Sequence, residues 1–103
     1  MEYNKSSDGY WLRLQRDDRF IETLKSWVKG LGPQALPSAT LMAIGAFKNS
    51  RLGFYHLDTR TYDERVYPED VELVNLSGNI SWLGEEPVIH CHVTLGLPDF
   101  RAV

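Results

Sequence analysis

Two histidines stand two residues apart in the run P-V-I-H-C-H-V-T-L-G, at His90 and His92. In an extended strand, residues i and i+2 project to the same face. Both imidazoles therefore aim one way, and Cys91 between them aims the other. Neutral imidazole nitrogen is a good ligand for zinc and other divalent transition metals such as nickel or copper. Two donors supply half of a tetrahedral site, so a third is required, and His56, Glu72 and Asp99 are the donors the chain offers. A metal-dependent small-molecule binder or enzyme built on this pair would need a nearby base, and Glu72 is the residue for that role. The competing reading keeps both histidines on a partly polar sheet face, bonded to neighbours or water.

The remaining reactive side chains read as structural. His56 alternates with Leu52 and Phe54, and Cys91 reads as a small buried hydrophobe. Ser77-Gly78-Asn79 lacks the G-x-S-x-G frame of a nucleophile turn, and Gly78 is expected to mark a bulge. No glycine-rich phosphate loop occurs. Without a catalytic constellation the chain leans away from being an enzyme.

Positioning the pair requires a strand, and its surroundings read as one. Val71 to Trp82 and Pro87 to Gly96 are β-rich runs flanking L-G-E-E, the pattern of an antiparallel hairpin. Earlier in the chain, Met1 to Gly9 is polar and without period, and reads as a mobile arm. Residues 10–103 form the domain proper. Tyr10 to Gln15 alternates as a first strand. Asp17 and Asp18 are N-cap candidates for a helix in which Phe20, Ile21, Leu24, Trp27, Val28 and Leu31 recur at helical spacing. Gly30, Gly32 and Pro33 supply its stop. Ser38 to Phe47 is a buried strand with Gly45 at a bulge or close backbone approach. Leu52 to Leu57 and Tyr62 to Tyr67 form a further strand pair. One principal helix with a mainly antiparallel sheet is an α+β two-layer sandwich.

Composition narrows the function classes. The chain has 103 residues, 43% hydrophobic and 24% charged, which suits one ordinary globular domain. No apolar run is long enough to span a bilayer, so no membrane role is expected. The single cysteine excludes an internal disulfide framework and fits a cytoplasmic setting. The net charge of −3 does not favour phosphate tracking. Lys5, Arg13, Arg16, Arg19, Lys25 and Lys29 lean toward the N-terminal part, diluted by Asp8, Asp17, Asp18 and Glu22.

Four segments in order, P-S-A-T-L-M-A-I-G-A-F, G-F-Y-H-L-D, V-E-L-V-N-L-S-G-N-I-S and P-V-I-H-C-H-V-T-L-G, resemble the plant and prokaryote conserved (PPC) domain. Glu72 and the His90/His92 pair match the glutamate and the H-x-H strand of its pattern. The resemblance implies an α+β fold and assembly as a homotrimer. It implies an oligomeric interaction module with a DNA-binding or regulatory role, whose partner is DNA or a DNA-bound protein. Stand-alone prokaryotic members are commonly described as predicted DNA-binding proteins, and in some the H-x-H pair and a third histidine hold zinc. The chain carries no R-G-R-P AT-hook. It reaches Val103 where the family continues into a G-G-H strand, so a domain without the usual closing strands and without the third histidine is expected.

Overall fold

A computed structural model describes residues 1–103, with seven strands and one helix. The strands are β1 (Glu2–Ser6), β2 (Gly9–Arg13), β3 (Ala39–Phe47), β4 (Ser50–His56), β5 (Thr61–Tyr67), β6 (Val71–Leu83) and β7 (Glu86–Gly96), and the helix is α1 (Phe20–Leu31). Hydrogen bonding groups them as β1-β2, β3-β6-β7 and β4-β5. One helix and a mainly antiparallel set of strands is the α+β class expected from the sequence. The chain divides into two compact units, 1–40 with 79–90, and 41–78 with 91–103.

In the first unit, α1 forms because its apolar residues recur every three to four positions. Leu24 and Val28 are buried on the inner face, while Glu22 and Lys29 sit in the first and last turns, where their charges oppose the dipole. The stop is Gly32, whose φ of 88° suits glycine and whose N–H donates to the Val28 carbonyl at 3.1 Å. The start differs from the sequence reading. Arg19 occupies the N-cap in extended conformation without a side-chain cap bond. Asp18 instead accepts the Gln15 backbone N–H at 2.8 Å, so its carboxylate closes the turn ahead of the helix.

Residues 1–9 also differ from the mobile arm read in the sequence. Glu2–Ser6 is a strand, paired antiparallel with β2 from Glu2↔Arg13 to Ser6↔Gly9. Backbone pairing, the Tyr3 ring and a hydrogen bond donated by Gln15 Nε2 to Glu2 Oε1 at 3.3 Å hold it. The Trp27 ring of α1 lies 5.5 Å from Tyr3 and 4.9 Å, edge-on, from Tyr10, an arrangement that aromatic quadrupoles favour. Two polar contacts complete this unit. The Trp82 indole N–H donates to the Leu36 carbonyl at 2.7 Å, and Lys29 meets Glu86 at 2.5 Å.

In the second unit, Val71, Leu73, Leu76, Leu95 and Leu97 are buried. The alternation of β6 slips by one residue at Val74–Asn75, where two successive side chains are exposed. From Leu76 on, the buried positions Leu76 and Ile80 take the parity of Glu72 rather than that of Leu73. Gly45 has a φ of 152° and open space where a Cβ would stand. Glycine is needed there for its backbone angle, not for a close approach. No helix is long and apolar enough to cross a membrane.

Replacing Leu76, 1% exposed, by alanine should cost about 2–5 kcal/mol in denaturant unfolding. Replacing exposed Glu69 should cost under about 0.5 kcal/mol. The backbone N–H of Gln15, then the N-terminal ammonium of Met1, hold the Asp18 carboxyl below its ordinary range. A carboxylate with a depressed folded-state pKa stabilises above its unfolded pKa and loses that effect as pH falls through the folded value. The Tm gap between wild type and Asp18→Ala should therefore be present at neutral pH and close as the solution is acidified through the carboxylate range.

Candidate functional site

The outward side chains of β3, β6 and β7 make up the candidate site. On β7, Cys91 and Val93 are half-buried and Leu95 is buried, while His90, His92 and Thr94 between them are exposed. The regular period of two places both imidazoles on the same side of the strand. On β6, Glu72 and Val74 are exposed between buried Val71 and Leu73. A Cβ built at Gly96 would stand 3.3 Å from Val74 Cγ2 and 3.5 Å from Glu72 Cβ. Gly96 is in step with His92 and Thr94, so that row shares a sheet face with Glu72 and Val74. On β3, Met42 and Ile44 are 86% and 84% exposed.

This face is flanked by an open groove of about 610 Å³, whose lining includes Ala46, Asp70, Glu72, Val74, Gly96 and Phe100. Its far wall is a feature the sequence reading did not identify. Phe100 N–H donates to the Leu97 carbonyl at 2.9 Å, and Leu95 and Val103 exchange backbone hydrogen bonds at 2.8 and 2.9 Å. The segment after β7 therefore turns and pairs back on that strand, with Gly96 opposite Ala102. The signal was the dipeptide Pro98-Asp99, since proline suits the second position of a tight turn. Asp99 fixes the turn by accepting from Arg101 through its backbone N–H at 3.1 Å and its Nε at 2.6 Å. Those two bonds hold the Asp99 carboxyl below its usual range.

The third-donor candidates are dispersed. Asp99 is engaged by Arg101. His56 ends β4, its ring 5.0 Å from that of Phe54. Glu72 lies on the sheet face. No group of three or more His, Cys, Asp or Glu side chains is arranged to hold a metal ion. The residues present thus supply two imidazoles of a zinc-type set, which does not fit a closed structural site. Cys91 faces away from the histidine row, and burial pushes its thiol pKa up, the opposite of what a reactive thiolate needs.

The family model of the Plants and Prokaryotes Conserved (PCC) domain matches residues 1–103. No curated protein matches the chain. Among solved structures, a "putative dna binding protein" from Bacteroides thetaiotaomicron is similar at 28% identity and a TM-score of 0.90, over 99% of this chain and 69% of that one. A "putative DNA-binding protein" from Ralstonia eutropha JMP134 matches at 29% identity and a TM-score of 0.88, over 98% and 67%. A "metal-containing protein" from Archaeoglobus fulgidus matches at 27% identity and a TM-score of 0.79, over 89% and 63%. The chain spans about two thirds of the length of each.

Alkylation of Cys91 at mildly alkaline pH should run slower in the folded protein than in denaturant. The two rates should differ less as pH rises above the range of the buried thiol.

Proposed function

The chain belongs to the Plants and Prokaryotes Conserved (PCC) domain family, and from that premise we propose an oligomeric interaction module, a homotrimer, with a DNA-binding or regulatory role. The observation that carries this reading is the exposed apolar surface of the second unit. Met42, Ile44, Phe54, Tyr62 and Val74 are all more than half exposed. Large apolar side chains left this exposed are typical of protein contact sites. The two relatives described as DNA-binding supply the nucleic-acid side of the proposal.

Charge shapes how DNA would be engaged. A net charge of −3 limits phosphate neutralisation by the chain as a whole. Lys5, Arg13, Arg16 and Arg19 are exposed in the first unit, interspersed with exposed Asp8, Asp17 and Glu22. The reading is therefore of a module that works through assembly and partner contacts, with DNA or a DNA-bound protein as partner. A cytoplasmic setting accompanies it, consistent with one half-buried thiol and no disulfide.

A second reading rests on the shared side of His90 and His92 and on the metal-containing relative. In it the pair contributes two ligands to zinc or another divalent transition metal, and Glu72 serves as base for a small-molecule binder or enzyme. A bound ion would supply Lewis acidity at that face.

Gel filtration with light scattering should give the mass of three chains of 11.8 kDa each. A strict monomer at micromolar concentration contradicts the homotrimer. A duplex-DNA mobility shift that weakens with added salt supports direct contact, and no shift at low salt ends it. Elemental analysis separates the second reading, since equal metal content in wild type and in the His90→Ala, His92→Ala variant removes it.

A further inference from the structure

The β4–β5 pair is a two-stranded sheet of its own, with seven facing pairs from Ser50↔Tyr67 to His56↔Thr61. Every residue from Gly53 to Val66 is exposed. Residues that face each other across an antiparallel pair share a side. Leu52, Phe54, His56, Asp63 and Arg65 therefore lie on one side, and Arg51, Tyr55, Tyr62, Glu64 and Val66 on the other. Both sides carry aromatics. The Phe54 and His56 rings are 5.0 Å apart, as are those of Tyr55 and Tyr62. A two-stranded hairpin with water on both sides has no core and is marginal by itself. Phe54 at 68% exposure and Tyr62 at 63% keep a large apolar area in water.

The hairpin is also charged in a particular way. Arg51, Arg60 and Arg65 are balanced by Asp58, Asp63 and Glu64. Arg51 is 3.7 Å from Glu64, whereas Arg60 and Arg65 enter no ion pair in the chain. The open groove beside the sheet face has the opposite character. Ala46, Val74 and Gly96 give it apolar walls, and Asp70 and Glu72 give it an acidic edge. Its one cation, Arg101, is already held by Asp99. The acidic edge repels nucleic acid and favours an apolar insert that brings arginine. No residue of β4 or β5 lines the groove, so the chain does not fill it with its own hairpin.

Resting on the assembly reading above, we propose that the β4–β5 hairpin of one copy seats in this groove on a second copy. Phe54 and Leu52 then cover Val74, and Arg65 approaches Glu72. The hairpin and the groove are different surfaces, so the contact is heterologous. Repeated head to tail, such a contact gives a ring when its rotation closes, and the homotrimer proposed above requires closure at three copies.

Complementation tests the contact. Phe54→Asp disables the hairpin and leaves the groove intact, and Val74→Arg does the reverse. Each variant alone should run as a monomer in gel filtration with light scattering, and an equimolar mixture should form a one-to-one pair. Either variant retaining the wild-type assembly, or a mixture that stays monomeric, overturns the hairpin contact while leaving assembly itself standing. A monomeric wild type ends both. Should a variant lose the wild-type circular dichroism spectrum, bismaleimide treatment of a Phe54→Cys and Val74→Cys mixture in a Cys91→Ala background reads the same contact. A cross-linked dimer supports it, and single chains alone refute it.

Discussion

The period of two along β6 and β7 is the constraint on which the rest of this structure depends. Each strand must give one row of side chains to the interior and leave the other outside. Val71, Leu73, Leu76 and Leu95 take the interior positions and are at most 4% exposed. Removing such side chains from water contributes roughly 1.5–3 kcal/mol apiece, so register is strongly held. A slip of one residue would bring the histidine row inward and expose the leucines. A one-residue change of parity at Val74–Asn75 keeps apolar residues inside along both halves of the thirteen-residue strand.

The same constraint decides what the outer rows can do. His90 and His92 face outward because Cys91, Val93 and Leu95 face inward. Glu72 and Val74 join His92 and Thr94 on one sheet face because Val71 and Leu73 are committed to the core. That face is mixed: imidazole and carboxylate beside Met42, Ile44 and Val74. A polar row alone would need no cover. Large aliphatic side chains left almost fully in water are a cost that a contacting surface relieves. The histidine row therefore borders exposed apolar side chains, the surface on which the assembly proposal rests.

Much of this was legible in the chain. The helical spacing of Phe20, Leu24, Trp27, Val28 and Leu31 marks α1, and the H-x-H alternation marks the exposed pair. The four ordered segments carry the family. What stayed hidden depended on partners distant in sequence or on local competition for hydrogen bonds. Glu2–Ser6 has almost no apolar signal, because backbone pairing with β2 makes it a strand. Asp18 looked like a helix cap, but the Gln15 N–H competes for its carboxylate. In V-E-L-V-N-L-S-G-N the change of buried parity between Leu73 and Leu76 is not legible from apolar residues alone, because Val74 is apolar yet exposed. The groove was invisible because its wall is made by a turn whose function is to fold the segment back on β7.

The central claim is that the outer sheet face is covered in the working protein. Met42, 86% exposed in the single chain, reports on that directly, because a thioether in water is oxidised to the sulfoxide whereas a covered one is protected. Peroxide oxidation of Met42, followed by peptide mass spectrometry across a dilution series, is the most direct measurement. The account predicts slow oxidation at concentrations where copies associate, rising on dilution to the rate of an exposed methionine. Oxidation at the exposed rate at every concentration would contradict it.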